Sequence, residues 1–151
     1  MPTRVYLDTS IYNRPFDDQT QPRIWLETMA FSVILQMIED GLISLISSAV
    51  IEYENHRNPP SLRREWVKKI THLAVESQQV NEAIRQRAHH LEQERIKAMD
   101  ALHLACAEAA KADYFVTADD RLIKRYQQLK GTDAAPTVCN PTEFVRHIEE
   151  V

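Results

Sequence analysis

The sequence predicts an α/β fold with a short, mostly parallel central sheet flanked by helices, and three observations support this. Short apolar runs of strand length alternate along the chain with longer segments of helical spacing, which is the pattern of βα units. The chain has 151 residues, the size of one domain with a buried core. It has two glycines, too few for a barrel with many tight hairpins. We therefore expect residues 1–151 to form a single domain.

The first strand is predicted over residues 4–7, an apolar run that ends at Asp8. After a polar stretch, apolar residues recur every three or four positions over residues 23–40, and this spacing predicts a helix. Pro22 near its start and Gly41 just past its end are typical helix boundary residues. This helix should therefore connect the first strand to the second.

The second strand is predicted over residues 42–46, which again form a short apolar run. Ser47 or Ser48 then caps a helix that reaches about residue 57. Two prolines break the chain after it, and three further helical segments follow at residues 61–76, 79–95 and 96–112. The last of these is the most apolar, so we expect it to be buried.

Near the end of the chain, predicted strands and helices alternate again. A strand is predicted over residues 114–117, a helix over residues 119–129 and a last strand over residues 137–139. In parallel α/β sheets, ligands bind beyond the carboxyl ends of the strands. Functional side chains should therefore be sought directly after each predicted strand.

Acidic residues occupy these positions. Asp8 follows the first strand, Glu52 and Glu54 lie in the helix after the second, and Asp119 and Asp120 follow residues 114–117. Asp100 lies in the most apolar helix, where a carboxylate is costly unless it is paired or binds a metal. Each acid alone could cap a helix or end a strand, but converging carboxylates repel one another without a cation. Their oxygen ligands suit Mg²⁺ or Mn²⁺.

Composition excludes several other kinds of site. The two isolated glycines cannot form a Walker A loop or a GxGxxG turn. Two cysteines make neither a disulfide framework nor a four-ligand zinc site. The net charge of −4 is not that of a protein that simply coats nucleic acid. No run of about 18 apolar residues occurs, and the first residues read as a strand rather than a signal peptide, so we expect a cytoplasmic protein without membrane contact.

Several segments, in order, resemble the PIN domain family and, within it, VapC-like toxin ribonucleases. They are VYLDTS at residues 5–10, SAVIEYE at 48–54, MDALHLA at 99–105, FVTAD at 115–119 and CNPTEF at 139–144. The resemblance implies a three-layer α/β/α fold and a metal-dependent endoribonuclease that hydrolyses RNA.

The resemblance also implies roles for individual residues. Four of them would form the catalytic acidic set: Asp8, Glu54, Asp100 and Asp119. Three of these, Asp8, Asp100 and Asp119, would hold Mg²⁺ or Mn²⁺ directly or through water. Ser10 and Thr117 would be the hydroxyl residues beside the acids. Glu52 stays an alternative to Glu54, and Asp120 is a candidate secondary ligand. His103, three residues after Asp100, either contacts the site or packs in the core.

An acidic pocket repels RNA, so substrate binding needs cations nearby. The candidates lie on predicted helices: Arg57, Arg63, Arg64, Lys68, Lys69, Arg121, Lys124 and Arg125. Each of these could instead belong to a solvated helix face. Tyr12, Phe16 and Trp66 are candidate platforms for stacked bases, and core packing is the alternative for Trp66.

The resemblance implies two protein partners, a second copy of the chain in a homodimer and a small antitoxin. The main alternative function is a catalytically silent PIN-fold module that binds RNA or protein. A phosphatase or phosphotransferase would need a second aspartate two residues after the first, and Ser10 stands there.

Overall fold

The computed structural model describes residues 2–131 and 134–149 and places a five-stranded sheet at the centre of the molecule. The strands are β1 (Thr3–Leu7), β2 (Ile43–Ser48), β3 (Glu76–Gln78), β4 (Tyr114–Val116) and β5 (Thr137–Cys139). Their order is β3-β2-β1-β4-β5, and every neighbouring pair is parallel. The predicted parallel sheet is confirmed, and within the described residues all of it is parallel.

Eight α-helices accompany the sheet in the described part of the chain. They are α1 (Thr9–Asn13), α2 (Pro22–Glu39), α3 (Ala49–His56), α4 (Ser61–Thr71), α5 (Glu82–Gln93), α6 (Ala98–Ala109), α7 (Asp120–Lys130) and α8 (Pro141–Glu149). The right-handed crossovers of parallel strands put α2 and α8, which pack together, on one face and the α5–α6 pair on the other. This confirms the three-layer α/β/α arrangement.

Three elements differ from the sequence prediction. The helix predicted over residues 61–76 ends at Thr71, and Glu76–Gln78 instead forms β3 at the edge of the sheet. The short helix α1 follows β1 where a polar stretch was expected. The segment from Cys139 to Phe144 holds the end of β5 and then the start of α8, which Asn140 caps by accepting a hydrogen bond from the backbone N–H of Glu143 at 2.8 Å.

The core lies between the sheet and both helical layers. Val5, Tyr6 and Leu7 of β1 are all fully buried, as expected for a strand covered on both faces. The rings of Tyr6 and Phe115 stack across β1 and β4 with their centroids 5.3 Å apart. The strand that leads to Asp8 is therefore fixed by packing.

The order of the strands in the sheet places a crevice between β1 and β4. Strands β2 and β3 extend the sheet to one side of β1, whereas β4 and β5 extend it to the other. Such a reversal leaves space beyond the carboxyl ends of the two central strands. The backbone N–H of Asp8 donates to the carbonyl of Val116 at 3.0 Å, so the ends of β1 and β4 are held side by side. No helix within the described residues is both long enough and apolar enough to cross a bilayer.

Candidate active site

Asp8 and Asp119 lie at the two strand ends that border the crevice. Asp8 is buried and caps α1 by accepting a hydrogen bond at Oδ1 from the backbone N–H of Ser10. Asp119 caps α7, and its Oδ1 accepts from the backbone N–H groups of Arg121 at 3.0 Å and Leu122 at 3.2 Å. In both residues Oδ2 has no protein partner among the described residues. The capping role therefore leaves one oxygen of each carboxylate for a ligand.

Ser10 and Thr117 connect these two ends. Their hydroxyl oxygens are 3.4 Å apart. Ser10 Oγ accepts from the backbone N–H of Ala118 at 3.1 Å, and Thr117 Oγ1 accepts from that of Asp119 at 3.2 Å. The two hydroxyl residues thus fix the start of α1 against the loop after β4, and with it the separation of Asp8 from Asp119.

Glu54 is held by two side chains from other elements. Thr9 Oγ1 donates to Glu54 Oε1 at 2.8 Å, and His103 Nε2 contacts the same oxygen. Burial by itself would raise the pKa of Glu54, but the hydrogen bond and charge of His103, together with the hydrogen bond from Thr9, bring it below its ordinary value. Glu54 is therefore maintained as a carboxylate, and its other oxygen stays without a protein partner in the described residues.

A buried hydrogen-bonded chain leads from Glu54 into the core. His103 Nδ1 is 2.7 Å from the hydroxyl of Tyr6, which in turn is 2.6 Å from Ser48 Oγ. Ser48 Oγ accepts from the backbone N–H of Ile51 as the cap of α3. If Nε2 carries a proton toward Glu54, Nδ1 and the Tyr6 hydroxyl satisfy each other, and the Tyr6 hydroxyl shares a second hydrogen bond with Ser48 Oγ. This chain fixes the ring of His103.

Asp100 lies in the first turn of α6, half-buried beside the other acids. Burial and then the nearby charges of Asp8 and Asp119 raise its pKa to about 6, with a smaller contribution from Glu54. The structure therefore brings Asp8, Glu54, Asp100 and Asp119 close enough for their charges to act on one another.

Glu52 and Asp120 lie outside this group. Glu52 is exposed on α3 and accepts a hydrogen bond from Ser77 Oγ of β3 at 3.3 Å. Asp120 is paired with Arg23 of α2, with an oxygen–nitrogen distance of 2.6 Å, and is mostly exposed. Glu52 lies two residues before Glu54 and Asp120 one residue after Asp119, so their side chains point away from the crevice.

The predicted cations and aromatic platforms separate into different places. Arg121 and Arg125 line a groove with Asp100 and Asp119, whereas Arg64 and Lys68 line another between α3 and α4. The other four predicted cations do not line either groove: Arg57 and Arg63, which lie over the rings of Tyr53 and Phe16, and Lys69 and Lys124, which are exposed.

Two of the three aromatic candidates pack inside the protein. Tyr12 is fully buried and so cannot stack on a base, which makes that prediction wrong. Trp66 packs edge-on against Phe16 and Phe31, which agrees with core packing, the alternative that the sequence analysis gave to base stacking.

The carboxylates of the site fit the way in which Mg²⁺ usually binds, although they do not form a complete cage. Across residues 2–131 and 134–149, no three His, Cys, Asp or Glu side chains are gathered closely enough to form a metal cage by themselves. Mg²⁺, however, usually takes one or two carboxylates, several waters and the phosphates of a substrate. The all-oxygen donors and the open Oδ2 atoms of Asp8 and Asp119 suit that mode of binding.

Two contributors to the site were not predicted from the sequence. Thr9 and Tyr6 both lie in the VYLDTS segment, residues 5–10, but the sequence assigns neither of them a role. The hydroxyl of Thr9, directly after a strand-end acid, was the available signal. Nothing local indicates the role of Tyr6, because its partners come from β2 and α6.

Comparison with known proteins agrees with this architecture. The family model described as "PIN domain" matches residues 5–128, a range that includes all four acids. No curated protein and no solved structure matches the chain significantly.

Proposed function

The chain belongs to the PIN domain family, and on that premise we propose that it is a metal-dependent endoribonuclease that hydrolyses RNA phosphodiester bonds. PIN domains are commonly metal-dependent nucleases, and those nucleases act on RNA. The single observation that carries the proposal is the meeting of four acids from separate segments at the crevice, where burial and then the charges of Asp8 and Asp119 raise the pKa of Asp100 to about 6. Such repulsion is relieved when a cation binds.

Asp8, Asp100 and Asp119 are the residues proposed to hold the ion. A bound Mg²⁺ or Mn²⁺ would neutralise phosphate oxygens and make an attacking water more acidic. Ser10 and Thr117 keep Asp8 and Asp119 in place through the hydrogen bonds between their two loops.

Glu54 is proposed to position the attacking water. His103 and Thr9 hold one of its oxygens and keep it ionised, so the other can accept a hydrogen bond from that water.

The test is cleavage of mixed single-stranded RNA with Mg²⁺, with Mn²⁺ and with EDTA by three variants and the wild type. Asp8→Asn and Asp119→Asn should lose roughly 100-fold or more in rate, since asparagine keeps the helix cap but not the charge. Asp120→Asn is the matched control because Asp120 is adjacent in sequence and pairs with Arg23 instead. Equal cleavage by all four proteins, or cleavage that persists in EDTA, would contradict the proposal.

We extend the proposal to a toxin of a toxin–antitoxin pair that acts in the cytoplasm as a homodimer and is inhibited by a small antitoxin. Exposed apolar side chains on one stripe of α2 support a protein partner. They are Trp25, Leu26, Met29 and Val33, each 44% to 51% exposed. A short reading frame directly upstream of the gene would favour the antitoxin, and light scattering of the purified chain would show a dimer.

The whole chain is proposed to be one PIN domain, although the matched range ends at residue 128. Strand β5 pairs with β4 along its whole length, and α8 packs against α2. The segment beyond the match thus completes both the sheet and one helical layer. The two ends of the chain and residues 132 and 133 lie outside the described residues.

A catalytically silent binding module is the second candidate. The observation that favours it is the absence of a ready-made metal cage among the described side chains. In that case wild type and Asp8→Asn would be equally inactive while both still bound RNA.

A further inference from the structure

A groove of about 290 Å³ lies beside the acids, between the α5–α6 turn and the start of α7. Asp100 and Asp119 are part of its lining. Its other polar lining residues are all basic: Arg95, Lys97, Arg121 and Arg125. Four cationic side chains thus border two carboxylates in one continuous space. This space is large enough for several waters or for a phosphate and its sugar.

Three of the cations have no internal partner. Within residues 2–131 and 134–149, no ion pair or side-chain hydrogen bond engages Arg95, Lys97 or Arg121, and all three are exposed. Arg125 differs because its Nε donates to the carbonyl of Glu94 at 2.8 Å, which ties α7 to the end of α5. The first three side chains are therefore free to bind an anion, while Arg125 holds the two walls together.

We propose that this groove binds the RNA backbone through the phosphates next to the one that is cleaved, with Arg95, Lys97 and Arg121 as the binding side chains. The proposal rests on the proposed function. Cationic side chains at a groove recognise the phosphates of a nucleic acid without reading its bases. The aspartates in the same groove would repel that backbone, and the four cations outnumber them. Sequence preference would have to come from elsewhere in the protein.

The ends of α5 and α6 offer a closely matched pair of variants. Arg95 follows α5 with φ 71°, and its backbone N–H donates to the carbonyl of Glu92, while that of Ile96 donates to Leu91. Lys111 follows α6 with φ 57°, and its backbone N–H donates to the carbonyl of Glu108, while that of Ala112 donates to Ala107. Glycine relieves this left-handed conformation at either position, so each change to glycine removes one positive charge and no backbone bond.

Their positions relative to the groove differ. Asp100 lies in the first turn of α6 and Lys111 follows its last, so the length of the helix, about 18 Å, separates Lys111 from the groove. Arg95→Gly should therefore weaken RNA binding, and Lys111→Gly should not.

The experiment measures binding of a labelled single-stranded RNA by anisotropy in EDTA, with a gel to show that the RNA stays intact. Each phosphate contact on a single strand contributes a slope of about 0.7 to the dependence of log K on log salt concentration. Arg95→Gly and Lys97→Gln should each reduce the slope by about 0.7 and the affinity about fivefold at 0.1 M salt. Lys111→Gly should leave both at the wild-type values, and neither glycine variant should melt at a lower temperature than the wild type.

Different failures have different meanings. If Arg95→Gly and Lys97→Gln bind as tightly as the wild type, or if Lys111→Gly weakens binding equally, the groove is not the backbone site. A loss of affinity in Arg95→Gly together with a lower melting temperature would give Arg95 a structural role and also overturn the proposal. A wild type that binds no RNA would overturn the proposed function with it. If the wild type binds RNA but never cleaves it, and Arg95→Gly alone of the glycine variants weakens binding, the groove remains the backbone site and the proposed nuclease activity is rejected.

Discussion

Replacing Tyr6 by phenylalanine tests whether the buried hydrogen-bonded chain between Ser48 and Glu54 stabilises the protein. Tyr6 is fully buried, and its hydroxyl bridges Ser48 Oγ at 2.6 Å and His103 Nδ1 at 2.7 Å. Phenylalanine keeps the ring that stacks on Phe115 and removes only the oxygen. The change therefore isolates the hydrogen bonds from the packing.

The expected loss follows from what the missing oxygen leaves behind. A buried polar group without a partner costs about 1–3 kcal/mol. His103 Nδ1 would lose its partner, whereas Ser48 Oγ would still accept from the backbone N–H of Ile51. We therefore expect about 2 kcal/mol of lost stability, which corresponds to a fall of roughly 4–8 °C in melting temperature for a chain of this size.

Tyr12 provides the matched control. It is also fully buried, but its hydroxyl has no hydrogen-bond partner in the described part of the chain. Tyr12→Phe should therefore be neutral or stabilising, because it removes a buried oxygen that forms no bond. The two variants would be compared by urea denaturation followed by circular dichroism. Equal stability of Tyr6→Phe and the wild type, or equal losses in both variants, would refute the reasoning.

Two further predictions concern acidic side chains. Glu54→Gln should lower the rate of RNA cleavage about 100-fold or more, whereas Glu52→Gln should leave it unchanged. The reason is that Glu54 contacts His103 and Glu52 does not. Steady-state cleavage rates of both variants provide the check. Burial by itself would raise the pKa of Glu108, but hydrogen bonds from Arg87 and Tyr126 bring it below its ordinary value. Glu108→Gln should thus cost about 1–2 kcal/mol at neutral pH. The folded-state pKa of Glu108 is lowered. The stability that its charge contributes to the wild type is therefore complete above about pH 4.3, and it is lost as the pH falls through the folded-state pKa. Urea denaturation of both proteins between pH 7 and pH 3 would show a constant gap if the assignment is wrong.

The elements that the sequence predicted are those with a strong local pattern. The strands β1, β2 and β4 are apolar runs, and α2 and α6 carry apolar residues at helical spacing. Strand β3 has the sequence ESQ and two exposed residues, so no periodic signal marks it. It forms a strand because its backbone pairs with β2, and such a tertiary contact cannot be read from a local window.

Helix α8 did carry a readable signal, although no helix was predicted after residue 139. Asn140, Pro141 and Glu143 stand at the cap, the first and the third positions of the helix, which is a common helix start. By contrast, the face of His103 could be predicted from its spacing with Asp100, but its partners could not. They lie in β1 and α3, and only the folded chain brings them to α6.

The three aspartates of the site share a position that explains how their charges can coexist. Asp8 and Asp119 cap α1 and α7, and Asp100 lies in the first turn of α6. The N-terminus of a helix carries a partial positive charge, which stabilises a carboxylate placed there. Capping and metal binding are therefore compatible roles, since a parallel sheet brings strand ends and helix starts to the same edge. Burial and then the charges of Asp8 and Asp119 still raise the pKa of Asp100, so the helix termini offset the repulsion only in part.

Glu54 lies at the end of a helix rather than at its start, so its charge has to be stabilised in another way. It is in the last turn of α3, where the partial charge of the helix end is negative and disfavours a carboxylate. There the protein supplies hydrogen bonds from Thr9 and His103, and these lower the pKa of Glu54 despite its burial. The chain from Ser48 through Tyr6 holds His103 for this purpose. The charge on Glu54 thus depends on side chains that lie far from it in the sequence, whereas the aspartates gain part of their support from adjacent backbone.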